Sequence, residues 1–276
     1  MKSHFKFSVI AVLISLIPSS ALTKNPNNRS IVDPVSYANS VKSLDGCDGI
    51  GFSTQPLIAD SLIMGLVRRD RISGGKILGS DEFMTDTQNV ERLHKVISNA
   101  LGNSEMIVTR FYYKPYQVRY DANIGALRMW GIGSGGVKKS PLKKETAIRI
   151  GQEWITKGVR TGQNAYGAQA EVQDARVTQV GVAFEEASIA HTYNKGTPVE
   201  SLTVPMAVDD ARAFKASPSV IVIGKLKSPY FRQSSIFPEA TIDIPLEGVI
   251  TTMSFYIEPQ CIALMAGNKI VGRLDQ

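Results

Sequence analysis

Gln260-Cys261-Ile262-Ala263-Leu264-Met265-Ala266-Gly267-Asn268-Lys269-Ile270-Val271-Gly272-Arg273-Leu274 is the stretch that decides the fold class. Gly267-Asn268 is a two-residue turn signal, because both residues tolerate the positive φ that a tight hairpin demands. The runs on either side, 260–266 and 269–274, are rich in β-formers and read as the two arms of an antiparallel hairpin. Upstream of it the chain continues mostly extended. Arg176–Phe184, Ser201–Met206, Ser219–Leu226, Ala240–Ile244 and Val249–Ile257 read as strands, and Asp209–Lys215 reads as a short helix. No period of about 20–50 residues recurs, which argues against solenoids and propellers.

The first half of the chain has a different period. Asp33-Pro34 opens a helix, with Asp as N-cap and Pro in the first turn, and Val35, Ala38, Val41 and Leu44 fall on one face. Leu57–Val67 reads as a second helix through Ile58, Leu62 and Leu66. Thr87–Leu101 is the clearest helix, with Val90, Leu93, Ile97 and Leu101 as its stripe and Gly102 as its stop. The period then drops to two over Met106–Tyr113 and Tyr116–Tyr120, with Asp121–Gly125 as a hairpin loop into Ala126–Trp130. Ser140-Pro141 predicts a further helix carrying Ala147, Ile148, Gly151, Trp154 and Ile155 on one side. Residues 161–170 form the best candidate linker. The fold class that follows is α+β, with helices mainly in the first half and an antiparallel sheet with C-terminal hairpins.

The N-terminus has the three parts of a secretory signal. Lys2 and Lys6 make a positive start, Phe7–Ile17 is apolar and uncharged, and Ser19-Ser20-Ala21 offers a small-residue cleavage site. The apolar run is about half of the roughly 20 residues a membrane-crossing helix needs, so cleavage after Ala21 is expected rather than a retained anchor. Residues 1–21 are then the signal peptide, 22–32 a polar Asn-rich spacer, and 33–276 the mature globular region, with a possible division into two lobes near 161–170. The formal net charge of +6 falls to +4 once Lys2 and Lys6 go. That is too weakly basic to argue for nucleic acid as a partner. No second segment is long and apolar enough to span a membrane.

Cys47 and Cys261 are the only cysteines, and both lie in the exported part. An oxidising compartment favours a disulfide between them. Closing a loop of roughly 200 residues is worth on the order of 5 kcal/mol in the chain-entropy picture, before strain. The alternative is two buried thiols, with Cys261 simply packed in its strand.

Little else in the chain points to chemistry. Only His94 and His191 remain after cleavage, so a three-histidine zinc site is excluded and no cofactor or metal is implied. Ser73-Gly74-Gly75-Lys76 and Ser140-Pro141-Leu142-Lys143 match Ser-x-x-Lys without its companion motifs. Gly131–Gly136 followed by Lys138 and Lys139 lacks phosphate-loop spacing. Gly46-Cys47-Asp48-Gly49-Ile50 resembles the Cys-Ser-Gly-apolar start of bacterial cell-wall cysteine peptidases, departing from it at Asp48. That resemblance implies a thiolate nucleophile at Cys47 ahead of a helix. Its histidine belongs on a strand, whereas His94 falls in a helical stretch.

The aromatic run Phe111-Tyr112-Tyr113-Lys114-Pro115-Tyr116, with Tyr120 beyond, is the candidate surface. Alternation sends Phe111 and Tyr113 to one face and Tyr112 to the other. The outward face offers Arg110, Tyr112, Tyr116 and Tyr120 to a glycan or protein; the competing reading is aromatic packing inside a hairpin. By elimination the expected function is non-catalytic: a periplasmic or secreted binding or accessory protein, an envelope-assembly component or an inhibitor/immunity-type protein. Its expected partner is another envelope or secreted protein. A Cys47-dependent cell-wall hydrolase and a tyrosine-face glycan binder are the alternatives.

Overall fold

The computed structural model describes residues 32–42, 44, 57–129, 145–163, 166–167, 169–185, 193–194, 197–198, 202–241 and 246–275. The signal and most of the spacer (1–31), Cys47 with its Gly-rich turn, Gly131–Gly136 with Lys138 and Lys139, Ser140-Pro141, and His191 lie outside the described residues.

Three helices come first: α1 (Pro34–Val41), α2 (Asp60–Ile72) and α3 (Asp86–Ala100). Asp33 caps α1 by accepting the Ser36 amide at 2.8 Å. Its buried residues are Tyr37 and Val41; of the expected row Val41 is buried and Leu44 packs on the core, but Val35 is exposed. Tyr37 decides this, because its hydroxyl donates to the Met106 carbonyl at 2.9 Å and accepts the Val108 amide at 3.0 Å. Helix α2 starts later than expected, since the Ala59 amide is already bonded to the Val108 carbonyl. Ile63, Met64, Leu66 and Val67 make its inner face. Helix α3 follows its pattern. Thr85 and Gln88 form a reciprocal capping box, and Leu93 and Ile97 are buried. Gly102 ends it at φ +70°, where a Cβ would also sit 2.1 Å from the Pro34 carbonyl oxygen. Only glycine allows α1 and α3 to approach this closely.

The strands are β1 (Met106–Tyr112), β2 (Val118–Asp121), β3 (Ala126–Met129), β4 (Glu145–Gln163), β5 (Gln169–Glu185), β6 (Tyr193–Asn194), β7 (Thr197–Pro198) and β8 (Leu202–Pro205). Helix α4 (Val208–Ala216) precedes β9 (Pro218–Ile236), β10 (Leu246–Ala266) and β11 (Lys269–Asp275). The large sheet has the order β1-β9-β10-β5-β4, with β11 also on β10; β2-β3-β8 form a small second sheet, and β6 pairs β7. The fold is α+β. The β10–β11 hairpin turns at Gly267-Asn268 with Ala266 opposite Lys269.

Four expectations change. The large sheet is mixed, not antiparallel: β5 and β10 run parallel over Gln173–Ala183 and Leu246–Tyr256. Turn signals fix pairing only between sequence neighbours, whereas this seam joins two separate hairpins, β4–β5 and β9–β10. The helix expected to carry Ile148, Gly151, Trp154 and Ile155 is the strand β4. Ile148 and Ile150 alternate inward around Arg149, while Trp154 sits opposite Val177 and Ile155 opposite Arg176, so the supposed stripe divides between two faces. The candidate linker 161–170 is the closed end of the β4–β5 hairpin, with Thr161 opposite Glu171 and Gln163 opposite Gln169. Finally, 249–257 and 260–266 are one strand, β10, whose register shifts at Phe255/Ile257 and Pro259/Cys261. Ala240 and Thr241, expected to begin a strand, are irregular, and 242–244 lie outside the described residues.

Strand β10 is the spine of the large sheet. Its second half, 261–266, lies between β9 and β11 and is buried on both faces from Cys261 to Met265, as are Val220–Ile223 beside it. Such continuous apolar runs are what strands covered on both sides require. Its first half pairs with β5 over 246–256 and with β9 from Ile250. There β4, β5, β9 and β10 extend past the core and much of their surface is exposed. Met64 of α2 seats on β4 at Gly151, where a Cβ would lie 2.3 Å from its sulfur.

Candidate binding surface

Alternation along β1 places its aromatic residues as expected. Phe111 and Tyr113 turn inward with their rings edge to face at 4.8 Å, and Tyr112 turns outward with 63% of its surface exposed. Strand β1 then joins β9 in the large sheet, while β2 belongs to the small one, so no hairpin packs these rings against Tyr120.

The four surface candidates split into two kinds. Arg110 donates from Nε and Nη2 to Ser219 Oγ at 3.1 and 2.9 Å, and from Nη2 to the Gly267 carbonyl. It is a strut tying β1 to β9 and to the β10–β11 turn, and its guanidinium lies 5.2 Å from the Tyr112 ring. Tyr120 is also structural, since its hydroxyl donates to the Met206 carbonyl at 3.2 Å. Tyr112 and Tyr116 are the two presented to solvent. Tyr116 is 76% exposed on a short 3-10 turn, with Lys114 Nζ 5.8 Å from its ring.

Cys261 is fully buried in β10. His94 is half-buried on α3. Its Nε2 lies 3.4 Å from Glu105, and its ring stacks on Tyr230 at 4.7 Å. Lys225 Nζ is 3.1 Å from the other oxygen of Glu105. The Lys225 ammonium, with His94 beside it, holds the Glu105 carboxyl below its usual range. This cluster joins α3 to β9. Among the described residues no group of three or more His, Cys, Asp or Glu side chains is placed to hold a metal ion. Nor is any described helix long and apolar enough to cross a membrane.

Several polar residues that hold the fold carry no sequence signal. Asp70 is buried and accepts the Ile77 and Leu78 amides at 2.9 and 2.7 Å. Arg92 donates to the Ile77 and Gly79 carbonyls of the same loop. Asp60, also buried, accepts from the Thr109 hydroxyl at 2.9 Å. Burial pushes the Tyr37 and Tyr113 phenols well above the usual tyrosine range. The Tyr113 hydroxyl has no hydrogen-bond partner among the described residues.

The outer half of the large sheet is a second surface, and its two faces differ. On the face continuous with the core, Glu153 of β4 is held by Arg68 and Arg71 of α2, and Arg160 pairs with Glu247 at 2.7 Å. The opposite face carries Trp154, 51% exposed, and Ile236. Val159, Ile155 and Phe237 add further exposed apolar surface to this half of the sheet. Compared with protein families, with curated proteins and with solved structures, the chain matches none.

Proposed function

We propose that this is an exported protein, periplasmic or secreted after cleavage near Ala21, that acts by binding and not by catalysis, as an accessory or inhibitor/immunity-type component of an envelope assembly. The three-part N-terminus supports the export half of this reading. One observation carries the binding half. On one face the outer sheet exposes Trp154, Val159 and Ile236 on a framework of paired strands. A concentration of large apolar side chains on one surface marks a contact site.

The chain expressed with its own N-terminus is expected to have the mass of a protein beginning at Leu22 and to fractionate outside the cytoplasm. A cytoplasmic chain retaining residues 1–21 would overturn export. Mature protein is expected to co-sediment with isolated envelope, and less so as Trp154→Ala/Ile236→Ser; no co-sedimentation would overturn binding. The glycan-binding alternative draws support from the exposure of Tyr112 and Tyr116. The thiol-hydrolase alternative needs Cys47 free, and a Cys47–Cys261 disulfide, which we propose, removes that nucleophile. Thiol titration of the denatured, unreduced protein is expected to find none; two reactive thiols would favour the hydrolase.

A further inference from the structure

We infer that the outer edge of β9, from Phe231 to Phe237, pairs with the same edge of a second copy of the chain and closes a two-fold dimer through one continuous sheet. The inference goes beyond envelope binding and does not depend on it. Its basis is the point at which β1 leaves β9. Strand β1 covers one edge of β9 only from Ser219 to Lys225, where Met106 is the last partner. The other edge is paired with β10 out to Ile236. Among the described residues, no strand therefore lies on the β1 side of Phe231–Ile236. Alternate residues of an antiparallel strand turn their N–H and C=O groups to the same neighbour, so half of this stretch offers both groups to an incoming strand. Every residue from Arg232 to Phe237 is exposed.

Strand β4 is the opposite edge of the sheet, and it is built differently. Its register with β5 shifts between Arg149 and Gly151 and again between Thr156 and Gly158, which leaves Ile150 and Lys157 as extra residues. Two bulges, a lysine on one of them, and glycines at 151, 158 and 162 are devices that keep an edge from pairing. The β9 edge has none of them. From Phe231 to Ile236 its register with β10 is unbroken, and the stretch holds no lysine, proline or glycine. Pairing of the open edge with itself closes at two copies, whereas pairing of β9 with β4 would propagate into a filament.

The residues of this edge fit their own copy. A two-fold axis perpendicular to the sheet pairs residues of equal parity. Placed at Ser234, it sets Ser234 against its own copy, Gln233 against Ser235, Arg232 against Ile236 and Phe231 against Phe237. Arg232, the only charged residue of the stretch, then meets no like charge. Gln233 and Ser235 can each donate and accept across the junction. Phe237, 77% exposed in the single chain, comes over the edge of the Phe231–Phe255 ring pair. Neighbouring registers are poorer. With the axis at Gln233, Ile236 falls opposite Tyr230, whose φ of 64° takes it out of extended backbone. With the axis at Ser235, Arg232 falls opposite Pro238, which has no N–H to give. A single strand pair is at the low end of specific interfaces, so the dimer is a reversible one of micromolar affinity.

The test is analytical ultracentrifugation of the mature protein from low to high micromolar concentration. A reversible monomer–dimer equilibrium without larger species is expected. Ser234→Lys places two like charges directly opposite each other on the axis and is expected to weaken the dimer about tenfold or more, while Thr156→Lys on the β4 edge leaves it unchanged. Both positions are exposed, and unfolding transitions unchanged from the parent would show that the variants fold. Cysteine substitution reads the register itself. Opposed Cα atoms of an antiparallel pair lie about 4.5–5.5 Å apart, within the span of a disulfide, so Ser234→Cys is expected to give a covalent dimer under mild oxidation. The parent and Thr156→Cys are expected to give none. A protein that stays monomeric throughout, a dimer indifferent to Ser234→Lys, assemblies that grow beyond two copies, or Thr156→Cys crosslinking as readily as Ser234→Cys would each overturn the inference.

Discussion

Strand β10 crosses two environments. From Cys261 to Met265 every residue is buried and the strand is apolar on both faces; from Leu246 to Thr252 it is half-buried and carries Glu, Gly and two threonines. From Ile250 onward each half has a strand on either side, although the neighbour is the parallel β5 on one side of the outer half and the antiparallel β11 on that side of the inner half. What differs is burial, which supplies most of the stabilisation. The inner half therefore bears the stability, and the outer half has sequence to spare for contacts.

Leu264→Ala in the inner half is expected to cost about 2–5 kcal/mol in denaturant unfolding, and Trp154→Ala in the outer half under about 1 kcal/mol. Similar costs would break the distinction. Next in size is Asp70→Ala, which strands the Ile77 and Leu78 amides beneath the helices, at about 2–3 kcal/mol. Tyr113→Phe has the opposite sign. Removing an unpartnered buried hydroxyl should raise stability by about 1 kcal/mol, whereas a loss would point to a hidden partner.

Two pH effects complete the series. Tyr37 and Tyr113 are held neutral by burial, so their contribution is intact below about pH 10, the ordinary tyrosine value, and is lost as pH rises above it. Tyrosinate absorbance for these two should appear only with unfolding. The smallest effect belongs to Glu105. Its lowered value gives stability that is present above the ordinary carboxyl range and lost as pH falls through it. Because the side chain is nearly half exposed, that amounts to a few tenths of a kcal/mol at most, which Glu105→Gln should erase from the acid limb of the curve.

Local chemistry was legible in the sequence and long-range register was not. The Gly267-Asn268 turn and the Asp33-Pro34 helix start are each written within a few residues, and the structure follows both. Strand β4 misleads because Ile148, Gly151, Trp154 and Ile155 fit a helical arc as well as a bulged strand. In the surface candidate, alternation along β1 suffices to turn Tyr112 outward. The structural roles of Arg110 and Tyr120 depend on Ser219 and Met206, 109 and 86 residues away. The order of the large sheet requires several registers at once, and its parallel seam has no local signature.

That seam also orders the assembly of the sheet in time. Its paired residues are about seventy positions apart, so closing it costs chain entropy before any contact offsets it, while β4 and β5 meet across a short turn. A nascent chain thus holds a β4–β5 ribbon with β5 bare along the edge that β10 will occupy. Val177, 1% exposed in the finished sheet, is uncovered on that ribbon beside Trp154. Yield on refolding should therefore depend on concentration more steeply than stability does, and a short peptide spanning 246–256, supplied early, should compete for the vacant edge.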